Sequence, residues 1–183
     1  MATTREYVMK SISILVFAAL TAAVPAHAAT QMIGDTPAIA CAKFAAAANI
    51  SAPSNRSALA TCNKALADKL MPADRTATLV NRGIINAAAG NTEAALADYN
   101  EALARAPDLA SAYLSRGATL MQVGRFQDAR ADFDRALALN FNQPAIAYFN
   151  RGMANEKLGA LPAAYRDYKQ AQTLAPDFKP ATV

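Results

Sequence analysis

Tryptophan is absent from this chain, histidine occurs once and cysteine twice in 183 residues. The one histidine, His27, lies in an N-terminal stretch that reads as discarded, so the remainder has no imidazole to act as a general base. Serine nucleophiles need such a base, and a tetrahedral metal site needs a ligand set that two cysteines do not supply. The chain has no glycine-rich phosphate loop and no isolated pair of carboxylates. No enzyme, metal centre or cofactor is expected. The formal net charge of +4 is a mild excess without a basic stripe, which disfavours nucleic-acid binding. After the first 28 residues there is no long apolar run, no low-complexity tract and no Pro-rich linker. Nothing alternates with a period of two, so no strands are expected.

The N-terminus carries an address. Lys10 leads into an apolar run from Ile12 to Val24, followed by Ala26-His27-Ala28. A basic start, a short apolar core and an A-x-A site together predict a secretory signal peptide over residues 1–28. The run is about 13 residues, short of the roughly 20 that a membrane span needs. An uncleaved anchor is the alternative. No cysteine stands at the cleavage site, which argues against a lipoprotein. The mature chain is expected in a bacterial periplasm, with no stable membrane anchor once the signal is removed.

What the chain does have is repetition. Gly83, Gly117 and Gly152 recur at intervals of 34 and 35 residues, each closing an Arg-Gly pair. Twelve residues after each comes an alanine (Ala95, Ala129, Ala164), four later an aromatic (Tyr99, Phe133, Tyr168), then a further alanine (Ala102, Ala136, Ala171). A fixed period of this length marks stacked supersecondary units. Each unit divides at a central glycine (Gly90, Gly124, Gly159) into two alanine-rich amphipathic segments made of strong helix formers. The first segments run roughly over 75–89, 109–122 and 145–158, the second over 92–106, 126–139 and 161–175. Asp74, Asp108 and Asn91 stand where N-caps belong, Pro144 suits a first helical turn, and Pro107 and Pro176 end their units.

On these residues the chain resembles the tetratricopeptide repeat family, over roughly residues 74–176. Leu79, Tyr113 and Tyr148 take the place of the large residue near the start of each first helix. The second unit departs from the pattern, with Phe141 where proline is expected and one extra residue within 140–143. The resemblance implies an all-α, right-handed α-solenoid of antiparallel helix hairpins. Its units span about 74–107, 108–143 and 144–176, with a degenerate helix pair over 29–72 before them and a short tail, 177–183, after them.

That first pair follows a weaker match, in which residues 55–67 align with 92–104 and Cys62 falls in the aromatic slot. Its partner helix is expected over 37–48, capped by Thr36, with a turn near Ala52. Cys41 and Cys62 are then nearly equidistant from the turn and face each other across the hairpin. An exported chain with one such pair favours a disulfide, with buried free thiols or a redox pair as alternatives.

Arg82, Arg116 and Arg151 are each followed sixteen residues later by an aspartate, Asp98, Asp132 and Asp167. Each pair is centred on its turn glycine, so the side chains are expected to meet as structural ion pairs. A ladder of arginines for anionic ligands is the alternative reading. The family's concave groove, carried over by position, falls on Val80, Ile84, Leu114, Ala118, Phe149 and Met153, with Asn81, Ser115 and Asn150 beside them. In some groove-binding relatives an asparagine at that place holds the backbone of an extended peptide. The cationic clamp of chaperone-binding relatives is not matched, because Val80, Leu114 and Phe149 stand where cations would be needed. The same apolar positions also suit packing between units.

The resemblance therefore implies a periplasmic adaptor that binds a protein or peptide segment in its groove. Residues 177–183, with Pro180 among them, offer no helix to cover the last unit. The face around Leu158, Tyr165 and Leu174 is therefore expected to stay partly bare, with a homo-oligomer or an envelope-complex subunit as the alternative function.

Overall fold

The computed structural model of the chain describes residues 36–47 and 52–177, without side-chain detail for 52–54. The signal-peptide reading over 1–28 and nearly all of the C-terminal tail lie outside the described residues. Among the described residues eight helices follow one another: α1 (Pro37–Ala46), α2 (Ala52–Ala67), α3 (Pro72–Ala88), α4 (Thr92–Arg105), α5 (Ala110–Gln122), α6 (Phe126–Ala138), α7 (Pro144–Lys157) and α8 (Leu161–Leu174). Among the described residues there is no strand. Successive helices pair as hairpins, α1 with α2, α3 with α4, α5 with α6 and α7 with α8, and each hairpin packs on the next. The architecture is an all-α solenoid.

The hairpin turns are built by local chemistry. Past the end of α3, Gly90 takes a φ of 79°, a left-handed conformation that costs glycine nothing. Its N–H bonds to Ala87 O at 3.1 Å and the N–H of Asn91 to Asn86 O at 2.8 Å. These are the two reversed bonds that close a helix C-terminus and satisfy its orphan carbonyls. The same pair of bonds recurs after α5 and α7. After α6 the left-handed residue is Asn140, at φ 54°, and Phe141 bonds back to Ala136 O at 3.1 Å. The departure from the repeat pattern is thus a helix stop that turns Phe141 into the core, where it is 6% exposed.

Helix starts differ from the sequence expectation in three places. The residue capping α3 is Met71, with Pro72 in the first turn, so Asp74 lies inside the helix. Pro72 sets this boundary, because its fixed φ and missing N–H suit a first turn and nothing later. Leu109, not Asp108, stands at the start of α5. Ala52 opens α2 rather than forming the turn. Thr36 does cap α1, its Oγ1 accepting from the Ile39 N–H at 3.3 Å.

The helices form two layers with different burial. The second helices α4, α6 and α8 bury one stripe each, as Ala129, Asp132, Phe133 and Ala136 do in α6. The first helices are buried nearly all round: from Thr76 to Ala87 only Arg82 in α3 is partly exposed. That difference decides what each layer can offer a partner.

Candidate functional site

The three arginines are held, not offered. Arg82 grips Asp98 through Nε at 3.0 Å and Nη2 at 2.6 Å, Arg116 grips Asp132 at 2.8 and 2.7 Å, and Arg151 grips Asp167 at 3.0 and 2.6 Å. The aspartate side chains expose only 5–8% of their surface, the arginines about a quarter. The hydrogen-bonded carboxylates of Asp132 and Asp167 hold the Arg116 and Arg151 guanidinium groups above their ordinary range. A fork-to-fork pair of this kind fixes both planes. The guanidinium groups of Arg116 and Arg151 also lie over the rings of Tyr113 and Tyr148, 5.5 and 5.2 Å from their centroids.

A third arm of each arginine reaches back to the preceding hairpin. Nη1 donates to Asn63 Oδ1 at 2.8 Å from Arg82, to Asn100 Oδ1 at 2.7 Å from Arg116, and to Asp134 Oδ1 at 2.7 Å from Arg151. The sequence reading missed these links, although it held their signal. Asn63, Asn100 and Asp134 each directly follow the aromatic slot filled by Cys62, Tyr99 and Phe133. Each arginine therefore ties its own hairpin together and fastens it to the one before. With all three arms engaged, these residues do not form a ladder for anions.

The nine positions assigned to a concave groove come together on the first helices, but they are not open. Val80, Asn81, Ile84, Leu114 and Ser115 are fully buried, and Ala118, Phe149, Asn150 and Met153 expose at most 6%. Val80 and Ile84 share an apolar cluster with Leu79, Tyr99 and Ala112. Leu114, Ala118, Phe149 and Met153 share the other, in which the Phe149 ring lies 5.5 Å from that of Tyr168. All nine positions are therefore buried on the first helices. Polar atoms are buried with them. Among the described residues, Ser115 Oγ and both Oδ1 and Nδ2 of Asn150 have no hydrogen-bond partner.

Cys41 and Cys62 are joined as a disulfide, with Cα atoms 4.9 Å apart and both side chains fully buried. It packs with Ala45, Ala58 and Leu79, so the first hairpin has a covalent staple where the later ones have an aromatic ring. At the other end of the array α8 exposes Leu161 (62%), Tyr165 (66%) and Leu174 (45%), while Leu158 is half-buried. Among the described residues no group of acids, histidines and cysteines is placed to hold a metal ion, and no helix is long and apolar enough to cross a membrane.

Known proteins match this arrangement. Tetratricopeptide repeat family models match residues 110–142 and 145–178. NADPH oxidase activator 1 of Rattus norvegicus is 36% identical over 73 residues, which cover 40% of this chain but only 16% of that protein. The tetratricopeptide repeat domain of Arabidopsis OM64 superposes with a TM-score of 0.58 at 25% identity, over 61% of this chain and 91% of that one. The crystal structure of MamA superposes with a TM-score of 0.66 at 21% identity, over 82% of this chain and 80% of that one, a likeness of fold. Repeating hairpins and these matches agree: residues 110–142 and 145–178 carry tetratricopeptide repeats within an all-α solenoid, and such repeats support a scaffold for protein–protein interaction.

Proposed function

We propose that this protein is a non-enzymatic adaptor of the bacterial periplasm that holds a segment of another protein along its first helices. The observation that carries this reading is the set of buried polar atoms at one repeat position. Ser115 Oγ and the whole Asn150 amide lie buried without partners, on helices whose remaining inner surface is apolar. A buried amide left unsatisfied costs about 1–3 kcal/mol, and an incoming peptide backbone supplies both the donor and the acceptor it lacks. The paired cysteines support an oxidising compartment, where disulfides persist.

The test uses the full chain and an Asn150→Leu variant in pull-downs from periplasmic extract. Leucine has a similar volume and removes only the amide, so helical content should hold and stability should be equal or higher. Partners captured by the native chain and lost from the variant support the reading. Partners retained by a well-folded variant refute it.

A second reading has its own observation. The exposed Leu161, Tyr165 and Leu174 on α8 favour self-assembly, or docking into an envelope complex, through the last hairpin. Leu161→Glu with Tyr165→Glu should leave stability within about 0.5 kcal/mol, as exposed substitutions do. If this reading holds, sedimentation across micromolar concentrations shows the native chain associating and the variant monomeric.

A further inference from the structure

Arg130 of α6 and Arg166 of α8 line one cleft of about 240 Å³, floored by α7. Both are exposed, and among the described residues neither makes an ion pair with the carboxylates beside it, which pair with Arg151. Those carboxylates are already engaged. Asp134, one helical turn on from Arg130, accepts from Arg151 at 2.7 Å. Asp167 accepts from Arg151 through both oxygens and from the Asn155 amide at 2.9 Å. Three arginines against two aspartates leave the cleft lining with one positive charge in excess, and among the described residues Arg130 and Arg166 donate no side-chain hydrogen bond.

The feature is confined to this junction. At the matching places between the first and second units stand Leu96 and Ala131, which carry no charge. The shared repeat pattern therefore does not account for the pair, whereas it does account for Arg82, Arg116 and Arg151. Planar guanidinium forks match the oxygens of a phosphate-type group, and two of them facing one cleft match it from two sides.

We propose that the cleft between α6 and α8 binds a small oxyanion of the phosphate class through Arg130 and Arg166, with Arg151 and Asn155 fixing the floor. This site is separate from the inner-face reading above and does not depend on it.

The experiment titrates the full chain with inorganic phosphate at constant ionic strength, followed by calorimetry and by ¹H–¹⁵N chemical shifts. Acetate and chloride are run beside it, and the proteins compared are native, Arg130→Gln/Arg166→Gln and Arg56→Gln. Saturable binding by the native chain and by Arg56→Gln, weakened at least tenfold in the double variant, is the expected result, with shifts clustered at the cleft. Acetate matching phosphate would reassign the site to carboxylates and overturn the phosphate class. Linear, non-saturating responses, or equal binding by the double variant, would overturn the site itself. Unchanged helical circular dichroism in the double variant separates lost binding from lost fold.

Discussion

A Cβ placed on Gly117 would stand 2.7 Å from Cε1 of Phe133 and 3.0 Å from its Cδ1. The ring occupies the space that a side chain would fill, and Gly83 and Gly152 stand in the same relation to Tyr99 and Tyr168. The repeat's glycine and its aromatic are therefore one packing unit, split across two helices sixteen residues apart in sequence. The backbones approach because the glycine lets the ring in, not merely because two small residues face each other.

Gly117→Ala should destabilise the fold. Alanine favours the helix by about 1 kcal/mol over glycine, but Phe133 is fully buried and has nowhere to go, and overpacking costs about 1–3 kcal/mol. The clash should win by about 1 kcal/mol, read as a lower urea midpoint. Adding Phe133→Leu should return part of the loss. An alanine variant as stable as the native chain would show that the ring moves freely.

The three ion pairs should not be equal. Asp98 and Asp167 also accept from the amides of Asn86 and Asn155, at 3.1 and 2.9 Å. The matching residue in the second unit is Leu120, so Asp132 relies on Arg116 for its hydrogen bonds. Arg116→Met strands a carboxylate 8% exposed and should cost about 3–5 kcal/mol, more than Arg82→Met. Combining it with Asp132→Leu should recover most of the loss in a denaturation cycle. Equal costs for the two single variants would contradict the role given to the asparagines.

Reduction should loosen the first hairpin. Closing a loop with a sequence separation of 21 stabilises by about 3 kcal/mol in the chain-entropy model. Thermal unfolding of the Cys41→Ala/Cys62→Ala chain should begin at a lower temperature. Hydrogen exchange should rise first in α1 and α2, with α5 to α8 still protected. Uniform loss across all helices would mean that the hairpin holds up the entire array.

Alkali should unfold the protein through its buried phenols. Burial pushes Tyr99 and Tyr168 above the ordinary tyrosine range, and for Tyr168 the hydrogen bond to Glu156 adds to this. Both folded pKa values then exceed the unfolded value of about 10, so the folded state holds protons that the unfolded chain releases. Stability from these groups is complete below about pH 10 and is lost as pH rises beyond it. Absorbance at 295 nm should show Tyr99 and Tyr168 ionising only as the helical signal falls. Ionisation of both before any loss of helix would refute this.

Much of this protein was legible in its sequence because the information is local or periodic. The spacing of Gly83, Gly117 and Gly152 gave the units, the prolines and turn glycines gave the helix ends, and a sixteen-residue offset centred on a turn brought arginine to aspartate. Symmetry about a turn is a strong constraint in an antiparallel hairpin. It also pointed to Cys41 opposite Cys62, which the disulfide bears out although the turn assumed near Ala52 proves to be the start of α2. Caps were less legible at Asp74 and Asp108, since proline at Pro72 and the geometry at Leu109 competed for the same boundary.

What only the tertiary structure decided is burial and the junctions between units. Sequence position assigned Val80, Leu114 and Phe149 to an inner face, but how deeply each is buried depends on everything packed against it, which no period encodes. The third arm of each arginine, reaching to Asn63, Asn100 or Asp134, crosses from one hairpin to the next and so depends on how hairpins stack. The cleft of Arg130 and Arg166 arises in the same way, from two helices that are not neighbours in the chain. A repeat written in sequence determines its unit; the contacts between units follow from the packing of one on another.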